Sequence, residues 1–302
     1  MTESSENKKT ISSKIREFIK ANSNIGVGKS LLIWFLAISI IPLGVLSYLN
    51  YVNSYVGLTI VNEKALMTTS QLRVEYINSF FEDIVDFLNY ESNQNSNIKF
   101  LESLKKRYEQ DNKSLNEFVQ TDNWSEDTKI LNKNLSRGIK EKGFYDIYYI
   151  DSKGNILFSL KNENDLGTNL FYGKYANTLF AKTCKKILDS DKILFSDLEF
   201  YEPSMNELSG FFGQVIHNGN GEEIGILAIQ VTMDKINEII MGNAALGETG
   251  ESYLIGKDLY YRSGSRFDGD SAILNNKSNN EKSNEWLTYI NKKNDPFVPK
   301  SE

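Results

Sequence analysis

Residues 30–62 contain no charged side chain, and the stretch LLIWFLAISIIPLGVLSYL at 31–49 is apolar almost throughout. A run of this length crosses the hydrocarbon core of a bilayer as a helix. No recurring polar face marks it as an amphipathic helix of a soluble core. Pro42 and Gly44 fit this reading, because membrane helices admit both residues more readily than soluble ones. Tyr48 and Tyr51 stand where an interfacial aromatic belt belongs. A cleaved signal peptide has a shorter basic lead and a small-residue cleavage site, which this stretch does not show. The expectation is a transmembrane helix over 31–51.

Charge sets the orientation. Lys8, Lys9, Lys14, Arg16, Lys20 and Lys29 precede the run against three acidic residues, so the positive-inside rule places residues 1–30 in the cytoplasm and all that follows outside. The whole chain carries −6, and the part beyond the run is more acidic than that, which excludes nucleic acid as a partner. Cys184 is the one cysteine, so there is no intrachain disulfide and no multi-cysteine metal site. GVGKS at 26–30 resembles the end of a phosphate-binding loop, but Ser23 stands where that pattern needs a glycine. It reads as a juxtamembrane linker ending in a lysine anchor.

Residues 52–143 read as a long helical region. Val74, Ile77, Phe81, Ile84 and Leu88 recur at spacings of three and four, one apolar stripe that packs on the module beyond the membrane or on a second copy in a homodimer. Over 93–143 the Asn, Lys and Glu content indicates a solvated helical surface. At Phe144 the period changes to two. FYDIYYI (144–150), the turn residues DSKGN (151–155) and ILFSL (156–160) make a hairpin. A helix is expected over 175–188, an extended stretch from Leu194, and two strands at 210–216 and 223–231 joined by NGNG (218–221). A further helix follows at 234–241. Hairpin strands with helices on the sheet give an α+β fold, with a pocket between sheet and covering loops as the default ligand site.

The order of a long helix after a membrane span, the hairpin around 151–155, FSDLEFYEPS, the paired strands, LGETGESYLIG and YRSGSRF resembles the double Cache extracytoplasmic sensor domain. This PAS-like module occurs on methyl-accepting chemotaxis proteins, sensor histidine kinases and diguanylate or adenylate cyclases. The resemblance implies a membrane-distal ligand-binding module at 144–243 and the start of a membrane-proximal one at 244–302, left incomplete. It implies a single-pass receptor in the cell membrane, most like a chemotaxis receptor. A kinase or cyclase input, or a truncated non-sensing membrane protein, is the alternative. Amino-acid-binding members carry an Arg-x-Trp-Tyr element and an Asp on the last strand of the distal half. Here residues 160–184 hold neither Arg nor Trp, and the Asp position falls on Gln230. A neutral amide lacks the charge-assisted pairing a carboxylate gives an ammonium group, which argues against an ordinary α-amino acid.

The residues expected to line the ligand site are Tyr149, Tyr201, Ser204, Phe212, Gln214 and Gln230, with rings for apolar contact and amides and hydroxyls for orientation. Each has a plainer reading: Tyr149 and Phe212 as core, Tyr201 and Ser204 as a turn around Pro203, Gln230 as a satisfied sheet residue. Asp197 reads as a strand-end residue and Asp234 as a helix N-cap. No enzyme, cofactor or metal is expected. His217 is the single histidine and precedes a turn, and Glu248 and Glu251 lie in a loop leading into a strand at 252–255.

Overall fold

The computed structural model of the chain describes residues 26–241 and 246–279, together with positions 283, 285 and 288. Residues up to Ala65 form one compact unit and those from Leu66 a second. The expected cytoplasmic segment is outside the described residues up to Asn24 and Ile25. Helix α1 spans Val27–Ser92 and is long and apolar enough to cross a membrane. In the first unit Leu31, Trp34, Phe35, Ile38 and Ile41 are exposed, the pattern of a surface that meets lipid. The hydroxyls of Ser39 and Thr59 donate to the carbonyls of Phe35 and Tyr55 four residues back. Their polar atoms are thereby satisfied within the helix, as a membrane requires.

In the second unit the buried face of α1 runs Arg73, Ile77, Phe80, Ile84, Phe87 and Leu88. The expected stripe is corrected at two places: Val74 is exposed, and Phe81 is only partly buried beside that face. Three more helices follow: α2 (Asn95–Gln110), the single turn α3 (Leu115–Phe118) and α4 (Asp122–Lys142). Ser114 and Glu117 cap α3 reciprocally, Thr121 caps α4, and Gly143 ends α4 in the left-handed conformation.

Five strands, β1 (Asp146–Asp151), β2 (Ile156–Ser159), β3 (Leu194–Tyr201), β4 (Glu207–His217) and β5 (Glu223–Thr232), form an open antiparallel sheet in the order β2-β1-β5-β4-β3. Both hairpins read from the sequence are present. Helix α5 (Leu179–Ser190) starts later than the expected 175, because Thr178 accepts from the Ala181 amide and fixes the N-cap there. Helix α6 (Met233–Met241) follows β5 directly, which puts Asp234 in its first turn rather than at the N-cap.

Strand alternation divides the sheet's side chains between two cores. One face, with Ile147, Tyr149, Phe212, Leu227 and Ile229, packs with α1, α2 and α4. Phe81 of α1 lies 5.4 Å from Phe212 and Phe100 of α2 lies 5.4 Å from Tyr149, ring centre to ring centre. The other face, with Tyr148, Ile150, Phe211, Val215 and Ala228, packs with α5 and the loop 160–178. Phe180 of α5 stacks on Phe211 at 3.9 Å. The loop also covers an edge. Leu170 N donates to Gly154 O, Ile156 N to Thr168 O and Gly167 N to Ile156 O, so β2 exposes no unpaired backbone there.

Beyond α6, residues 246–279 are turns held by isolated bridges, Ile255 to Tyr261 and Tyr260 to Lys277 among them. The expected strand at 252–255 is reduced to one such bridge. Asp197, expected at a strand end, sits inside β3 at a bulge with φ of 64°. Its carboxylate takes two hydrogen bonds from Arg262, each 3.0 Å, which ties this segment to the sheet.

Candidate functional site

Asp146 and Tyr148 alternate along β1, and register places Gln230 of β5 opposite Asp146 and Phe211 of β4 opposite Gln230. All four therefore project from one face towards the loop 160–178. Ser209 of β4, Tyr201 at the end of β3 and Ser204 in the short helical turn after it complete the sheet side. Ser159 comes from the end of β2, and Glu163 and Asp165 from the loop. Gln230, Ser204, Tyr201, Asp146 and Asp165 are all 0% exposed.

Hydrogen bonds join these neighbouring groups in three sets, around Gln230, Asp165 and Asp146, which together make up the polar network. Tyr148 OH donates to Gln230 Oε1 at 2.8 Å, and Gln230 Nε2 donates to Ser204 Oγ at 2.9 Å and Ser209 Oγ at 2.8 Å. Ser204 Oγ donates to Glu163 Oε2 at 2.6 Å, and Tyr145 OH to Glu163 Oε1 at 2.6 Å. Tyr201 OH donates to Asp165 Oδ2 at 2.7 Å. Asp165 Oδ1 is buried and has no hydrogen-bond partner. Asp146 holds the loop's first turn: Oδ1 accepts from the amides of Ile147, Leu160 and Lys161, and Oδ2 from Ser159 Oγ.

Burial dominates the electrostatics. It pushes the Asp146 carboxyl up to about 7, against the opposing hydrogen bonds from Ser159 and the Ile147 and Lys161 amides, with the Asp165 charge adding to the rise. It pushes Asp165 up to about 6, the Tyr201 hydrogen bond opposing and the Glu163 charge reinforcing. Tyr148 and Tyr201 are held well above the usual phenol range, chiefly by burial. Two lysines border the network, both exposed: Lys161 lies 4.6 Å from the centre of the Tyr145 ring, and Lys174 pairs with Glu202 at 2.8 Å.

Of the six residues expected from the sequence, Ser204 and Gln230 bond each other, and Tyr201 lies on the same face of the sheet, bonded to Asp165. Tyr149, Phe212 and Gln214 lie on the opposite face of the same sheet. Tyr149 and Phe212 sit in the helix-side core, and Gln214 Nε2 donates to Asn89 of α1 at 3.0 Å. A single sheet separates the two sets, so the six do not share one pocket. The sequence reading missed Asp146, Tyr148, Ser159, Glu163, Asp165 and Ser209. Alternation in DIYYI was the available signal for Asp146 and Tyr148, since it puts 146, 148 and 150 on one face. His217 ends β4, 3.6 Å from the Asp191 carboxylate and outside the network. Cys184 is buried in the apolar core under α5. Ser265 Oγ donates to Glu251 at 2.7 Å within the turns after α6.

No protein-family model matches the chain, and no curated protein matches it. Several solved structures are similar to it, among them extracellular sensor and ligand-binding domains. One is the sensor domain of the Vibrio cholerae histidine kinase DctB, at 14% identity and a TM-score of 0.38, covering 58% of this chain and 59% of that one. Another is the ligand-binding domain of the Pseudomonas aeruginosa PAO1 amino acid chemoreceptor PctC in complex with GABA, at 10% identity and 0.41, covering 68% and 76%. A third is the ligand-binding domain of the Campylobacter jejuni chemoreceptor Tlp3 in complex with L-valine, at 13% identity and 0.35, covering 67% and 77%.

Proposed function

We propose that the chain is a membrane-anchored extracytoplasmic sensor region of a bacterial signal-transduction receptor, most like a chemotaxis receptor, that binds a small molecule between the sheet and the loop 160–178. The N-terminus lies in the cytoplasm in this reading, on the strength of the basic lead. The observation that carries the proposal is the buried polar network around Gln230. An apolar core needs no such network, and several specific donors and acceptors converging under one loop is how ligand sites are built.

Strands β4 and β5 give the binding event a route outwards. Phe211 faces the network, while Phe212, the next residue, packs on Phe81 of α1, and Gln214 bonds Asn89 of the same helix. A ligand that draws the loop and β4 together favours one packing of α1 over another, a population shift rather than a chemical step. Exposed Leu66, Met67, Leu72, Val74 and Tyr76 on α1 offer a surface for a second copy. Sedimentation of the full chain in detergent should report a dimer, and a monomer at all concentrations rules that pairing out.

The test of the sensor reading is a thermal-shift screen of the full chain in nanodiscs against amino acids, carboxylates, amines and purines. A ligand at 100 times its Kd adds about 2.7 kcal/mol of stability, and the shift should vanish in Gln230→Ala. A cooperatively folded sample that responds to no compound of any class would sink the proposal.

A further inference from the structure

We propose that the proton is itself an input to this unit: Asp165, buried under the loop 160–178, takes up and releases one, and Tyr148 answers by passing its hydroxyl bond between Gln230 and Asp165. The inference goes beyond the small-molecule reading and does not depend on it, since a proton needs no cavity. Three carboxylates lie under the loop, and two of them are fully engaged. Asp146 accepts from three backbone amides and Ser159, and Glu163 accepts from Tyr145 and Ser204. Asp165 differs, since Tyr201 holds Oδ2 while Oδ1 is buried with no donor. An ionised oxygen in that position is costly, and protonation removes the charge that makes it so. The arrangement in the structure is that of neutral Asp165.

Tyr148 makes the proton's presence felt elsewhere. Its hydroxyl lies within reach of the Asp165 carboxyl and gives its proton to Gln230 Oε1 at 2.8 Å. With Asp165 neutral, the proton on Oδ1 has the Tyr148 oxygen to accept it, so each group in the row has a partner. When that proton leaves for water, the carboxylate becomes the stronger acceptor, because charge-assisted bonds are roughly twice as strong as neutral ones. Tyr148 then turns to Asp165, and Gln230 Oε1 loses its donor. Gln230 is the tie from β5 to Ser209 of β4 and to Ser204 after β3, and Ser204 holds Glu163 of the loop. One carboxyl thus acts on β1, β4, β5 and the loop through one amide. Asp146 and Tyr148 of β1, Glu163 of the loop and Tyr201 of β3 face Asp165, while Glu199 of β3 and Cys184 of α5 act on Tyr201. Exposed Lys161 lies over the ring of Tyr145, which bonds Glu163. Burial and the Glu163 charge raise Asp165, the Tyr201 and Tyr148 hydrogen bonds oppose them, and the balance at about 6 sets where the exchange occurs.

The experiment uses the full chain carrying Asp146→Asn, which removes the other buried carboxyl that titrates in this range, in dodecyl maltoside micelles that have no carbonyl group of their own. Infrared difference spectra between pH 5 and 8 should show the carbonyl stretch of a protonated carboxyl disappearing, and adding Asp165→Asn should abolish that change. Hydrogen exchange, corrected for its intrinsic dependence on pH, should report the loop and β4 about tenfold less protected at pH 8, a factor of ten for each pH unit from 5 up to the folded value of about 6. Asp165→Asn should keep the pH 5 protection throughout. Tyr148→Phe, which has no hydroxyl to pass, should be less protected than the reference at pH 5 and show no further loss at pH 8. A merely structural Tyr148 would lower protection and leave its pH dependence in place, and that result overturns the inference. So does a reference chain with no carboxyl titrating between pH 5 and 8, a finding that needs no further variant, or an Asp165→Asn chain that keeps the pH dependence. A pH-flat unit that binds a compound of the wider screen leaves the sensor reading standing without the proton. A unit that answers to pH and to no compound supports the proton as its input and removes the small-molecule reading.

Discussion

Raising the pH from 5 to 8 should destabilise the unit that begins at Leu66, and Asp146→Asn should remove most of that loss. Asp146 has a folded-state value of about 7 and an ordinary unfolded value near 3.9. The folded state therefore holds the proton more tightly between those limits. Stability contributed by the group is fully present below the unfolded value and is lost as pH rises through the folded one. At 1.36 kcal/mol per pH unit, the stretch from pH 5 up to the folded value of about 7 makes this one carboxyl account for about 3 kcal/mol, with Asp165 adding to it. For a unit of this size that is a fall of about 8 °C in melting temperature.

Asparagine fits the Asp146 site because the two carboxylate oxygens have different partners. Its carbonyl oxygen can keep the Ile147, Leu160 and Lys161 amides that Oδ1 now accepts, and its amide nitrogen can donate to Ser159 Oγ where Oδ2 now accepts. The readout is the difference between parent and variant melting curves at each pH, which cancels titrations common to both. A parent whose stability is flat from pH 5 to 8, or a variant with the same slope, would show that Asp146 is not protonated in the native state.

The strands were legible where period-two patterning met unambiguous turn chemistry. DSKGN and NGNG fixed both hairpins, and the apolar run fixed the first part of α1. The site was half legible. Tyr201, Ser204 and Gln230 stood out as polar or aromatic residues near strand ends, but the acidic partners of Tyr201 and Ser204, Asp165 and Glu163, lie in KNEND (161–165), whose composition reads as a solvated loop. What buries Asp165 is the fold of that loop over α5 and the sheet, and no local pattern encodes it. Tyr149, Phe212 and Gln214 were placed with the wrong partners because type alone was weighed, not face. Gln214 and Phe212 share a parity that points them at α1, whereas Gln230 shares the face of Phe211. The strand expected at 252–255 failed for another reason: SYLI has the composition of a strand, but its one backbone bridge is at Ile255 and its neighbours are turns.

Gly225→Ala should cost about 3 kcal/mol or more, the upper end of what overpacking a core produces. Gly225 lies on the central strand β5, paired with Asp151 on one side and Ile216 on the other. A Cβ there would run into the carbonyl oxygen of Ile150 and come within 2.8 Å of a Leu101 methyl on α2. The leucine can turn aside, but the carbonyl belongs to the sheet and moves only if β1 moves. Relief must then come from parting β1 from β5 or lifting α2 off the sheet, and either disturbs the row that carries Asp146, Tyr148 and Gln230. Gly219, in the turn between β4 and β5, is the control, since a Cβ there meets no atom within 4 Å. Gly219→Ala should stay within about 0.5 kcal/mol of the parent. Denaturant unfolding of the two variants side by side separates close approach from generic loss of glycine. Equal stabilities would mean that α2 does not rest on β5 as closely as the geometry has it.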